Sequence, residues 1–162
     1  MAIEEKLVQS FPGDSRLNVI GFDADTSALE HARARFRHAE LGLELVQGNV
    51  LSQEGLNQLC ELASRAKVII SMGLIEYLED TTVELVLRKL HAAAKPGTQL
   101  FVANYVPDHP SRSAMEWLLD WWLVYRTESD LRRLIARAGF DEKSVATEFD
   151  QTQSLVLCRF TR

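Results

Sequence analysis

The sequence is poor in several things, and each shortage removes a class of function. It has two cysteines in 162 residues, Cys60 and Cys158, far apart. That is too few for a disulfide scaffold, so a pair of reduced, buried thiols in a reducing cytoplasm is expected. Its four histidines, His31, His38, His91 and His109, have no second ligand at metal-binding spacing, and no metal site is expected. Basic charge is short as well: 18 Lys and Arg stand against 23 Asp and Glu, a formal net charge of -5. With no basic stripe, nucleic acid is not the expected partner. The longest greasy stretch, "MEWLLDWWLVY", is interrupted by Glu116 and Asp120 and is too short to span a bilayer. The N-terminal "MAIEEKLVQSF" has early acids and no apolar signal core, so no export signal is read.

What is present is the pattern of an ordinary globular protein, 46% hydrophobic and 25% charged, of a length that suits one domain. Residues 2–10 read as a short helix broken at Pro12 and Gly13. "LNVIGF" is a strand, and a helix over 27–39 follows, with Leu29, Ala32 and Phe36 on its apolar face and Gly42 as its stop signal. "LELVQGNV" is a second strand and 53–65 a helix. "AKVIISMGL" is a third strand, apolar enough to be buried on both faces. A helix over 82–94 stops at "KPGT" before the strand "QLFVANYV". The stretch 106–126 is an insertion or lid, with "SAMEWLLDWWLVY" as a helix. "TESDLRRLIARAGF" is a helix opened by a capping-box spacing at Thr127 and Asp130. Strands over 143–149 and 154–160 close the chain as an antiparallel hairpin. Strands alternating with helices mean an α/β fold.

In open α/β sheets, ligands sit at the carboxyl ends of the strands. "LNVIGFDAD" ends in two acids there, Asp23 and Asp25. A carboxylate at that position makes strong, charge-assisted bonds to ribose hydroxyls; it also makes a helix cap. Asp25, nearer the helix, is the better cap candidate and Asp23 the better ribose ligand.

"VIGFDADTSALEHARARF", "LELVQGNV", "AKVIISMGLIEYLED", "LRKLHAAAKPGTQLFVANY" and "YRTESDLRRLIARAGF" follow one another in the order of the class I S-adenosylmethionine-dependent methyltransferases, which the chain resembles over most of 17–160. The resemblance implies a Rossmann-like, mostly parallel sheet with a C-terminal antiparallel hairpin, and S-adenosylmethionine as cofactor. It implies that Asp23 binds the ribose, Ala24 lines the adenosine site, Asn49 and Val50 touch adenine, and Ser71, Met72 and Gly73 form the wall by the sulfonium. Asn49 stands where the family often has an acid; its amide oxygen still accepts from an adenine amine. The Trp-rich stretch and "NYVPDHPSR" are similar to bacterial enzymes that methylate small hydroxy or fatty acids.

The family's glycine-rich loop follows a strand that precedes the segment matching Asp23. Only sixteen residues precede Leu17, with Gly13 their single glycine. The chain therefore reads as N-terminally truncated, with the alternative of a true short protein or half of a split enzyme. The missing strand would leave its neighbours to pair with each other or to expose edges that a second copy or a partner chain fills.

Four further residues are candidates for the acceptor end. Glu76 and Tyr77 stand in the loop where the acceptor is expected, Glu76 to position it or to serve as helix-start charge. His109 is a general base or a solvated loop residue. Arg126 is a substrate carboxylate clamp, or the partner of Glu128 or Asp120 in an ion pair. Trp117, Trp121 and Trp122 read as core packing or as an apolar lid over a substrate tail. Methyl transfer from a sulfonium needs mainly alignment, so no dedicated base is required. Two alternatives stand beside this small-molecule methyltransferase: a non-catalytic module that needs a partner to bind cofactor, and a nicotinamide-dependent dehydrogenase, disfavoured by the Pro-Gly turn and the terminal hairpin.

Overall fold

The computed structural model describes residues 17–37 and 42–162; the helix and turn expected over 1–16 lie outside them. These residues fall into two compact units, one through Leu59 and one from Cys60, where the sequence reads as a single domain.

In the first unit, β1 (Asn18–Asp23) and β2 (Gly42–Gln47) pair in parallel, with Asp23 level with Gln47. Between them runs α1 (Thr26–Phe36). Asp25 is its N-cap, accepting from the Ser27 main-chain N–H at 2.8 Å and from the Ser27 hydroxyl at 2.8 Å. Those bonds, the hydroxyl's first, hold the Asp25 carboxyl below its ordinary range. Leu29 is buried, whereas Ala32 and Phe36 are only half-buried. Gly42, read as a helix stop, opens β2 and donates its N–H to Leu17. Helix α2 (Gln53–Arg65) begins in this unit and continues past Cys60.

The second unit holds β3 (Val68–Ser71), α3 (Asp80–Ala93), β4 (Gln99–Tyr105), α4 (Arg112–Leu118), α5 (Glu128–Arg137), β5 (Ala146–Phe149) and β6 (Leu155–Thr161). Its sheet has the order β3-β4-β6-β5: β3 and β4 are parallel, and β6 is antiparallel to both neighbours. The core is built by period-2 burial on β4 and β6, where Leu100, Val102, Val156, Cys158 and Phe160 alternate with more exposed residues. Val83, Val86, Leu87 and Leu90 of α3 and Leu131, Leu134 and Ile135 of α5 recur at helical spacing and are buried too. Each such side chain contributes about 1.5–3 kcal/mol on burial.

The α5 capping box is present with both of its bonds: Thr127 accepts from the Asp130 main-chain N–H at 3.2 Å, and Asp130 accepts from the Thr127 N–H at 3.0 Å. Aspartate therefore does the work usually given to Glu. At the hairpin turn, the Asp150 carboxylate accepts from the main-chain N–H groups of Thr152, Ser154 and Leu155 and from the Thr152 hydroxyl.

Three expectations change. β3 is not buried on both faces: among the described residues it is an edge strand, shorter than expected, with Val68 and Ile70 at 41% and 44% exposure. The helix expected through Tyr125 stops at Leu118. Asp120 turns left-handed at φ 50°, a conformation an Asp tolerates, and the Trp121 N–H donates back to Met115. Cys60 is only partly buried, while Cys158 is fully so; both are free thiols, raised in pKa by burial.

No helix among the described residues is long and apolar enough to cross a membrane.

Candidate functional site

The carboxyl ends of β1 and β2 frame a cleft of about 300 Å³, lined by Ala24, Gln47, Gly48, Asn49, Gly55 and Gln58 among others. The backbone shapes it. Asn49 makes a turn in which its own amide oxygen accepts from the Leu51 N–H at 2.9 Å and its main-chain carbonyl accepts from the Ser52 N–H at 2.9 Å. The Ser52 hydroxyl then accepts from the Gly55 N–H at 3.0 Å, which caps α2. Helix and turn are so close that a Cβ on Gly55 would stand 2.1 Å from the Asn49 carbonyl oxygen. A Cβ on Gly48 would stand 2.4 Å from the Phe22 ring. The turn and the start of α2 pack this closely only because two side chains are missing. On its β1 side the Gln47 amide donates to the Ala24 carbonyl at 3.4 Å.

Asp23 stands at the end of β1 with its side chain exposed. Its Oδ1 accepts from the Asp25 main-chain N–H at 2.9 Å, and Oδ2 takes no hydrogen bond within the described residues. The two acids are thus divided: Asp25 is consumed by the helix start, and Asp23 presents one carboxylate oxygen outward. Ala24 and Asn49 line the cleft; Asp23, the residue before Ala24, and Val50, in the turn that bounds it, do not line it. Asn49 retains one lone pair on its amide oxygen and its amide N–H groups for a ligand. Sequence reasoning missed Gln47, Gly48, Gly55 and Gln58. Only Gly48, a glycine placed just after a strand, carried a signal.

In the second unit, the end of β3 carries Ser71, half-buried with an unpartnered hydroxyl, then Met72, exposed, and Gly73 at φ 81°. Glu76 follows in a single 3₁₀ turn (Ile75–Tyr77). Its carboxyl is buried, its Oε2 has no partner among the described residues, and desolvation pushes its pKa up. The main-chain carbonyl of Glu76 accepts from the Val124 N–H at 2.7 Å. The Tyr77 hydroxyl accepts from the Trp121 indole N–H at 2.9 Å. His109 uses Nδ1 to accept from the Ser111 N–H at 3.1 Å and sets its ring edge-on to Tyr105. One nitrogen of that imidazole is thereby spent on its own loop.

Arg126 is not presented to solvent as a clamp would be. Its side chain is 2% exposed. It donates to Asp80 at 2.9 Å, to the carbonyls of Ile75 and Leu78 at 2.7 and 2.6 Å, and to the Asn104 amide oxygen at 3.1 Å. Four of the guanidinium's five N–H groups are bound inside the protein. Its ion-pair partner is Asp80, not Glu128 or Asp120; Glu128 is taken by Arg132 and Thr147. Asn104 completes the network, donating its amide to the carbonyls of Tyr105 and Val124. An Asn inside "QLFVANYV" was the available signal, because a polar group buried in an apolar strand must find partners.

Among the described residues, no group of three or more His, Cys, Asp or Glu stands together as metal ligands would.

The profile of the methyltransferase domain family matches residues 5–97, more than half of the chain. The chain belongs to that family. No curated protein matches it. Among solved structures, a protein from Bordetella parapertussis superposes with a TM-score of 0.70 at 19% identity, covering 90% of this chain and 53% of the other. The S-adenosylmethionine-dependent methyltransferase SibL gives 0.68 at 16%, covering 97% and 46%. Human N-acetylserotonin methyltransferase, solved in complex with S-adenosylmethionine, gives 0.64 at 17%, covering 98% and 44%. These likenesses establish the Rossmann-like methyltransferase fold, and this methyltransferase-domain chain spans about half the length of the solved chains it matches.

Proposed function

We propose that this chain binds S-adenosylmethionine and serves methyl transfer to a small molecule, a hydroxy or fatty acid. One observation carries the cofactor: the cleft at the ends of β1 and β2, bounded by the close packing of the Asn49 turn on α2 and lined by Ala24, the neighbour of Asp23, whose Oδ2 takes no hydrogen bond within the described residues. Its volume is that of a small-ligand site. Its lining of amides and main chain suits a nucleoside edge: Asn49 meets the adenine amine, Ala24 packs on the adenosine, and Asp23 accepts from the ribose hydroxyls. When bound, the cofactor supplies an electrophilic methyl on a sulfonium that is its own leaving group. On the resemblance alone, Val50 is assigned to adenine and Ser71, Met72 and Gly73 to the sulfonium end. Glu76, buried in the turn after β3, positions the acceptor; Tyr77 and His109 contribute polar contacts beside it. Arg126 holds that loop in place and touches no substrate.

Calorimetric titration with S-adenosylmethionine tests this. Saturable binding, weakened at least about tenfold by Asp23→Ala through loss of charge-assisted bonds, supports the reading. Unchanged affinity in a folded variant removes the ribose role.

A second reading is favoured by the strand edges. Among the described residues β1 pairs only with β2, and β3 only with β4. An unpaired edge is a template for another chain, and in this reading a partner or second copy completes the sheet before cofactor binds. Sedimentation velocity with and without S-adenosylmethionine separates the two: binding by a monomer favours the first, ligand-dependent association the second.

A further inference from the structure

The second unit displays a cluster of large apolar side chains with no counterpart in its core. Trp117 and Leu118 are 78% and 81% exposed, and Leu119, Trp121 and Trp122 are exposed beside them, as is Tyr77. Scattered apolar residues on a surface are ordinary; a contiguous group is a mark of binding. This one is held in shape. The Trp121 indole N–H donates to the Tyr77 hydroxyl, and that of Trp122 to Asp120 at 2.8 Å. The rings of Trp117 and Trp122 meet edge to face at 6.0 Å. Val124, tied to Glu76, and Arg126, tied to Ile75 and Leu78, anchor the end of the segment on the turn after β3. With both of those indole donors satisfied internally, what the strap offers a ligand is hydrocarbon surface.

We propose that residues 117–122 seat the hydrocarbon tail of the methyl acceptor, a small molecule with an alkyl chain. This rests on the methyl-transfer reading and gives that acceptor its apolar half. The charges argue against a membrane as the occupant. Interfacial Trp clusters are accompanied by Lys and Arg, whereas here Arg112 is paired with Glu116 at 2.8 Å and Arg126 is buried on Asp80. Asp108 and Asp120 are left, and they repel an anionic lipid surface. The strap's contacts to Glu76 and Tyr77 make it continuous with the loop assigned to the acceptor.

The chain's only three tryptophans are Trp117, Trp121 and Trp122, so intrinsic fluorescence reports this patch alone. Titration of the full chain with 1-hexanol, 1-octanol and 1-decanol, uncharged probes below their solubility limits, should give a saturable spectral shift. Affinity should rise about twofold to fourfold per methylene, the upper figure being full burial. The double variant Leu118→Ser, Leu119→Ser keeps every tryptophan and alters only exposed side chains; it should weaken 1-decanol binding by about tenfold with circular dichroism unchanged. An affinity independent of chain length overturns the proposal. So does a response to phosphatidylcholine vesicles but not to alcohols, or a spectrum that shifts only with protein concentration as the chain self-associates. Cofactor binding is measured separately by calorimetry: S-adenosylmethionine binding without an alcohol response sinks this inference alone, and an alcohol response without cofactor binding sinks the methyl-transfer reading beneath it.

Discussion

Removing the Arg126 side chain should cost the second unit a large part of its stability. The guanidinium makes four hydrogen bonds, and three of its acceptors are protein oxygens facing a 2%-exposed side chain: the carbonyls of Ile75 and Leu78 and the amide oxygen of Asn104. In Arg126→Met the hydrocarbon volume is largely kept; the Leu78 carbonyl and the Asn104 amide oxygen lose their donor, while the Ile75 carbonyl keeps the Leu78 main-chain N–H at 3.2 Å. Each unsatisfied acceptor costs about 1–3 kcal/mol. The Asp80 pair adds less than about 1 kcal/mol, since the Asp80 side chain is 51% exposed and solvent screens it. Water entering from the Asp80 side can satisfy one carbonyl. The net expectation is about 2–4 kcal/mol. Arg126→Lys should recover less than half, because one ammonium with three donors does not reach four acceptors arranged around a planar fork. The assay is urea unfolding at neutral pH, followed by far-ultraviolet circular dichroism and by tryptophan fluorescence. A loss below about 1 kcal/mol for Met, with an unchanged slope, would refute the view that this network is the unit's polar keystone. Lys behaving as wild type would refute the role of fork geometry.

Other outcomes follow from the same contacts. Glu76→Gln should raise stability at neutral pH. The folded pKa of Glu76 lies above its unfolded value, so the native state binds more protons and wild-type stability falls as pH rises through that interval. The gain should vanish below the ordinary Glu range, and a gain persisting at pH 3 contradicts the cause. Thr127→Ala removes the α5 cap and should cost about 1 kcal/mol in chemical unfolding; a neutral result means the capping box is ornamental. Asp150 has its pKa depressed, first by the Thr152 hydroxyl and then by main-chain N–H groups. Its contribution is present above the ordinary carboxylate range and lost as pH falls below it, so Asp150→Ala should flatten the acid limb of the stability profile. Gly55→Ala places a methyl 2.1 Å from the Asn49 carbonyl oxygen, so the turn that carries Asn49 must shift; unfolding stability and cofactor binding should both fall, and unchanged stability would contradict this close fit.

The local grammar of the chain was readable. Helix 53–65 falls where its apolar spacing put it, the capping box works with aspartate, and of two acids two residues apart the one nearer the helix became the cap. What escaped reading was decided by partners distant in sequence. Arg126 finds Asp80, 46 residues away, because burial of a guanidinium demands an acceptor that no local pattern names. "AKVIISMGL" looks doubly buried because apolar composition cannot tell a central strand from an edge strand. The Trp-rich stretch has helical spacing to Tyr125, yet Asp120 leaves the helical region and the aromatic rings end up outside. The close fit of the Asn49 turn on α2 rests on Gly55, whose effect is an absence of atoms and leaves no periodic trace.

The central claim is that the adenosine half of the cofactor lies in the cleft beside Asp23. Amide chemical-shift mapping of the ¹⁵N-labelled chain with S-adenosylhomocysteine tests it most directly. The account predicts saturable shifts at Ala24, Gly48, Asn49 and Gln58, lost in Asp23→Ala. Shifts confined to residues beyond Cys60, or none at millimolar ligand, would contradict it.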